Sequence, residues 1–284
     1  MTSGSENPLL RLEGSAFLRE WHARYPGAAS SAFGYGRAEG GEGSSYDLLV
    51  DDAAAVEHLT TAVDLACGDG HLVELLARRL PTGQIIGVDM APEELDVARH
   101  RSLLENVRLI NARAEALPLP DASADAVVCH MALMLFDDAR SVVNELARVI
   151  RPGGIFAAVL GPAPGNSEFV ARFGALLREA EAAEQLPPLH VGDPMTFAED
   201  SLRAIFASDA WNSVRIEQFA LRFEGSDDQI QATLLAMYNV ARLSDDGRAK
   251  LEQRLEDEML ERRQTDQPTE CVLSLRHLVA VRER

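Results

Sequence analysis

Gly68 and Gly70, flanked by Asp64, Asp69 and His71, are spaced to close a backbone turn tightly around a ligand. Glycine adopts sharp turns and lets a ligand approach the main chain closely. A helix starting behind such a turn presents unpaired N–H groups to the same place. Asp89 lies 25 residues after Asp64, at the end of Ile86-Gly87-Val88-Asp89. An acid ending the next strand can accept both hydroxyls of a ribose, so the candidate ligand is a nucleoside. A dinucleotide-type Gly-x-Gly-x-x-Gly would need glycine at Val73, and no lysine follows to cradle a phosphate. Asp64, Asp69 and Met90 flank these positions and are further candidate contacts. His130 directly follows the apolar residues 127–129, and a neutral imidazole there can accept a substrate proton.

These residues need a scaffold that brings strand ends together. Short apolar strands are predicted at 62–65, 85–89, 107–111, 126–129 and 155–160, alternating with helices at 71–80, 92–105 and 137–150. That alternation predicts a parallel sheet covered by helices on both faces. Two later strands, 214–223 and 271–281, are separated by charged helices across 226–264 with a break at 244–247. Helices at 167–185 and 196–208 precede them. The expected fold is α/β, a Rossmann-like doubly wound sheet of seven strands with a helical cover. Upstream, Leu12, Phe17, Leu18 and Trp21 mark a helix ended by Pro26-Gly27, residues 34–45 read as a flexible Gly/Ser-rich loop, and a helix spans about 46–58.

Taken together, these segments resemble the class I S-adenosylmethionine-dependent methyltransferases. Residues 64–70 are similar to their acidic-x-Gly-x-Gly-x-Gly motif, with Ala66 in place of the first glycine. Asp89 matches their ribose-binding acid. Ala114-Glu115-Ala116-Leu117-Pro118-Leu119-Pro120-Asp121 and Arg148-Val149-Ile150-Arg151-Pro152-Gly153-Gly154 resemble two further motifs of the small-molecule branch, methyltransferase type 11. The likeness is close over about 55–160. It implies S-adenosyl-L-methionine as cofactor, contacted by Tyr46, Asp64, Ala66, Gly68, Asp69, Gly70, Asp89, Met90, Ala114, Glu115 and Cys129, with His130 catalytic. Tyr46 would offer an aromatic face to the sulfonium. Arg113 departs from the family, which carries Asp there to accept from the adenine amino group; a guanidinium cannot accept. The implied division is a lid at 1–58, a cofactor-binding core at 59–160, and at 161–284 the rest of the sheet with helical insertions covering the substrate. Met131, Met134, Phe136, Met195, Phe197, Met237 and Tyr238 are candidate pocket walls.

Lysine and arginine total 27 against 45 aspartates and glutamates, a net charge of −18 over 284 residues. So acidic a surface repels phosphate backbones, which argues against nucleic acid or an anionic membrane as partner. Cys67, Cys129 and Cys271 are too few and scattered for a disulfide framework or a zinc site. No metal is expected. The expected setting is cytoplasmic, without a leader or membrane span, as a monomer or homodimer. The expected substrate is a small molecule, a secondary metabolite or its keto-acid precursor, methylated on carbon or oxygen. The alternative is a protein of the same fold that binds the cofactor without methylating, as a cyclase would.

Overall fold

The computed structural model describes residues 7–39, 43–101, 105–265, 267 and 269–284. The N-terminal segment supplies α1 (Gly14–Arg24), α2 (Ala28–Phe33), the short strand β1 (Gly36–Ala38) and α3 (Ser45–Ala54). The α/β succession follows: β2 (Thr61–Leu65), α4 (His71–Arg79), β3 (Gln84–Asp89), α5 (Pro92–His100), β4 (Val107–Asn111), β5 (Ala124–His130), α6 (Ala139–Val149) and β6 (Ile150–Leu160). The chain then forms α7 (Glu168–Ala183), α8 (Glu199–Ile205), β7 (Trp211–Phe223), α9 (Asp227–Leu235), α10 (Asp245–Gln264) and β8 (Cys271–Arg282).

All strands lie in one sheet ordered β1-β7-β8-β6-β5-β2-β3-β4. The five strands β6 to β4 are parallel; β8 pairs antiparallel with β6, β7 antiparallel with β8, and β1 antiparallel with β7. Strands β2, β3 and β5 are buried almost throughout, as expected for a sheet covered on both faces. One face packs on α3, α4, α7 and α10, with Leu76, Phe169, Phe173 and Leu255 fully enclosed; the other packs on α6 and α8, with Leu146 and Leu202. The strand order reverses between β2 and β5, a switch point at the carboxyl ends of the parallel strands. Doubly wound sheets bind ligands there.

The expected seven strands are present, and β1 is an eighth. It forms within the segment read as a flexible loop, pairing Gly36–Ala38 with Leu221–Phe223 and covering the free edge of β7. A Cβ at Gly36 would stand 2.9 Å from Leu221, so the small residue permits the pairing. The expected turn at 151–154 is a bulged start to β6, not a break before it. Helix α3 is shorter than expected; Ser44 and Asp47 form a reciprocal cap at its start. Helix α5 ends at His100, and the expected extension to 105 runs into residues 102–104, outside the described set. Residues 40–42 of the 34–45 loop are likewise outside it.

Gly87 shows how tightly the sheet supports the turn after β2. A Cβ there would meet Leu109 at 2.8 Å, Val73 at 2.9 Å and Cys67 at 3.0 Å. Overpacking of this kind costs about 1–3 kcal/mol. Gly87→Ala is therefore expected to lower the urea-unfolding free energy by that amount, and an unchanged midpoint would contradict the packing described.

Candidate functional site

Strand β2 delivers Asp64 and then breaks into a turn in which Ala66, Gly68 and Gly70 all take positive φ, at 58°, 51° and 79°. Ala66 thus holds a left-handed conformation that glycine adopts without cost, which explains why glycine suits the position. Cys67 N–H donates to the Val88 carbonyl at 3.0 Å, pinning the turn to β3. Gly70 opens α4, and a Cβ there would lie 2.9 Å from that of Ala98. Its role is close packing of α4 on α5, and it does not line the cavity.

Asp89 reaches across from β3. One carboxylate oxygen accepts from Gly68 N–H and the other from Ala91 N–H, both at 2.8 Å. Burial raises its pKa, partly countered by those two N–H groups. Asp64 is 1 % exposed and its Oδ2 has no hydrogen-bond partner. Burial, then the negative charges of Asp89 and Asp69, push its pKa well up. Asp69 is paired with Arg101, accepts from Ser30 Oγ at 2.6 Å, and caps the start of α4 through His71 N–H at 3.3 Å.

Tyr46 stacks on His130 with ring centroids 3.7 Å apart and meets His71 in a T-shaped contact at 4.7 Å. Burial, reinforced by Asp69 and Asp64, raises the phenol pKa. His130 Nε2 is engaged by Ser45 Oγ at 2.9 Å, and Phe33 meets the ring edge-on. Burial pushes the His130 pKa down to about 3. The imidazole expected to act as a base is at the cavity wall, but it is a poor proton acceptor near neutrality, because a catalytic base works best with a pKa near the operating pH.

Asp64, Ala66, Gly68, Asp69, Asp89, Met90, Ala114, Glu115, Tyr46 and His130 all line one cavity of about 540 Å³. Cys129 does not: it is fully buried in the apolar core that includes Leu146 and Val142 of α6. Arg113 lines the cavity edge with its guanidinium held by Glu115 at 3.0 Å. Glu115 is thus a carboxylate close to where the family's adenine-binding acid stands. Of the expected apolar walls, Met131, Met134, Phe136, Phe197, Met237 and Tyr238 line the cavity, whereas Met195 faces solvent.

Sequence reasoning missed Glu94. It is 1 % exposed, with Oε1 on His22 Nδ1 at 2.7 Å and Oε2 accepting from Gly27 N–H at 2.9 Å. His22 Nε2 in turn lies 3.3 Å from the Tyr238 hydroxyl. All four residues line the cavity. The signal was present: Ala91, Glu94, Leu95 and Ala98 form the buried stripe of α5, and a carboxylate on an apolar stripe is unusual. Among the described residues no group of three His, Cys, Asp or Glu side chains is placed to hold a metal, and no helix is long and apolar enough to cross a membrane.

Residues 63–158 match the methyltransferase domain family. The demethylmenaquinone methyltransferase of Thermus thermophilus is 37 % identical over 109 residues, 38 % of this chain and 50 % of that protein. The malonyl-acyl-carrier-protein O-methyltransferase of Methylococcus capsulatus is 35 % identical over 109 residues, 37 % of this chain and 40 % of its own. The uncharacterized methyltransferase YcgJ of Bacillus subtilis is 34 % identical over 155 residues, 50 % of this chain and 60 % of its own. The crystal structure of YcgJ superposes with a TM-score of 0.56 at 25 % identity, covering 84 % of this chain and 98 % of YcgJ. The chain spans about half the length of the curated relatives it matches.

The depressed His130 pKa has a signed consequence. The unfolded chain takes up a proton at this imidazole near its ordinary 6.5, and the native state does so only near 3. Stability contributed by the neutral ring is therefore present above about pH 6.5 and lost as the pH falls toward 3. Nitrogen-15 imidazole spectra are expected to show His130 neutral at pH 5. Titration of this ring near 6.5 would contradict the burial described.

Proposed function

We propose, from the premise that residues 63–158 form a class I S-adenosylmethionine-dependent methyltransferase domain of the type 11 branch, that the protein transfers a methyl group to a small, largely apolar acceptor. The observation that carries this reading is the unpartnered, buried Oδ2 of Asp64 beside Asp89 at the ends of β2 and β3, on the floor of a cavity with mainly apolar walls. A buried carboxylate oxygen without a partner is costly unless a donor or cation meets it. The residues present fit an S-adenosylmethionine molecule. Asp64 would meet the amino group of the methionine part, Asp89 the ribose hydroxyls, Met90 and Ala114 the base, and the Tyr46 ring the sulfonium. When bound, the cofactor supplies an electrophilic methyl group and leaves as a neutral thioether.

The chain's own task is then alignment and exclusion of water. Residues 1–58 act as the lid: α1 and α2 are tied to the cofactor turn through Glu94 and Asp69. Residues 59–160 hold the cofactor, and 161–284 complete the sheet and cover the acceptor. We assign His130 to positioning Tyr46 and Ser45. For an acceptor that must lose a proton, His22 is the better placed imidazole: Glu94 orients it through Nδ1, leaving Nε2 toward the Tyr238 hydroxyl. The relatives named as acting on demethylmenaquinone and on malonyl-acyl carrier protein support a small-molecule acceptor in general terms. The secondary-metabolite reading, the cytoplasmic setting and a monomeric or homodimeric state belong to this proposal.

Titration calorimetry with S-adenosylhomocysteine tests it. The wild type is expected to bind in the micromolar range. Asp89→Ala removes charge-assisted hydrogen bonds of about 1.5–3 kcal/mol each, so affinity is expected to fall at least about tenfold. Equal affinity of the two proteins would remove Asp89 from the site, and failure of the wild type to bind would overturn the reading.

A further inference from the structure

We propose that Glu94 is a positioning residue that works as a latch. It seats α1 and the corner between α1 and α2 on the cofactor turn, so that the cofactor enters or leaves only when this contact parts, and His22 is in place only while it holds. This rests on the reading of the cavity as a cofactor site and adds how that site opens. The corner lies against the turn after β2. Glu94 Oε2 accepts from Gly27 N–H at 2.9 Å, and a Cβ at Gly68 would stand 3.8 Å from the same oxygen. Gly27 takes a φ of 78°, and a Cβ there would meet Asp69 Oδ2 at 3.3 Å. Leu18, Trp21 and His22 of α1 and Ala29, Ser30 and Phe33 of α2 line the same cavity as Gly68. Asp64 and Asp89, the acids assigned to the cofactor, are 1 % and 9 % exposed. A ligand of nucleoside size reaches acids so covered only when part of the wall moves.

Residues 14–30 are the part of the wall built to move. Phe17, Leu18 and Trp21 form an apolar cluster with Leu9 that is separate from the two cores flanking the sheet. The segment is anchored at both ends. Gly14 N–H donates to the His190 carbonyl at 2.8 Å, and the end of α2 is held by Thr233 Oγ1 on the Ala32 carbonyl and by Phe33 against Phe223. Between these anchors it meets the cofactor turn and α5 through polar contacts: His22 Nδ1 with Glu94 at 2.7 Å, Gly27 N–H with Glu94, and Ser30 Oγ with Asp69 at 2.6 Å. A unit with its own small core, tied down by polar contacts, opens at lower cost than the sheet beneath. An apolar side chain at position 94 would continue the buried stripe of Leu95 and Ala98. The carboxylate there gives instead a contact that parts and re-forms. His22, the candidate base, rides on the same helix, so shutting the cover also completes the site.

The rates of S-adenosylhomocysteine binding separate a latch from an ordinary contact. With the cover shut in both the free and the loaded protein, loosening it speeds entry and departure together and changes affinity little. Glu94→Leu suits the apolar stripe of α5. It is expected to raise the association and dissociation rates of tritiated S-adenosylhomocysteine each at least about tenfold, the worth of one charge-assisted hydrogen bond. Glu94→Gln keeps an acceptor for Gly27 N–H and is expected to raise both rates by less. Ser30→Ala leaves α5 untouched and is expected to move both in the same direction. Hydrogen exchange in the free variants is expected to quicken across residues 14–30 while β2 and β5 stay as protected as in the wild type, which also shows that they fold. The proposal is overturned if dissociation alone quickens, if neither rate changes, or if exchange in Glu94→Gln and Ser30→Ala quickens across the sheet as well. Failure of the wild type to bind S-adenosylhomocysteine would instead strike the methyltransferase reading.

Discussion

The site depends on a concentration of negative charge that the fold buries at one point. Asp64, Asp69, Asp89 and Glu94 are each less than one tenth exposed and lie around the turn that follows β2. Like charges removed from water repel strongly unless each is matched. Three of the four are matched from within the chain: Asp69 by Arg101, Asp89 by two main-chain N–H groups, and Glu94 by His22 and Gly27 N–H. Asp64 keeps one oxygen without a partner. The arrangement is complete only when a positive group arrives, and a ligand carrying an ammonium and a sulfonium is complementary to it.

The same carboxylates hold the cover in place. Helix α1 meets α5 through His22 and Glu94, and α2 meets the glycine turn through Ser30 and Asp69. Both helices are thereby fastened to residues that line the cavity, not to the periphery of the sheet. On the opposite wall, the Tyr46–His130 stack carries α3 against the end of β5. Burial lowers the basicity of that histidine.

Much of this was legible in the sequence, for physical reasons that can be named. The five parallel strands declare themselves as short apolar runs bounded by Gly, Pro and Asp. The turn at 66–70 is visible because positive φ selects glycine, and Asp89 because an acid ending an apolar strand is out of place unless it binds something. What escaped were properties of the third dimension. Strand β1 has only three residues and no pattern; it exists because β7 leaves an edge to be paired. Cys129 and Gly70 occupy motif positions but serve packing, Cys129 in the core beside α6 and Gly70 where α4 meets Ala98 of α5. The weak basicity of His130 comes from Tyr46, Phe33 and His71, which are distant in sequence. Glu94 was readable from its place on an apolar stripe, whereas its partner His22 was not.

The central claim is that an unmatched buried acid, Asp64, receives the cationic end of the cofactor. Its pKa is raised in the free protein, and an ammonium placed beside it would lower that pKa, so binding must release protons. Calorimetric titration of S-adenosylmethionine at about pH 6, in two buffers of different ionisation enthalpy, counts them. The account predicts net proton release by the wild type and its loss in Asp64→Asn. Binding with no release, or with the same release from Asp64→Asn, would contradict it.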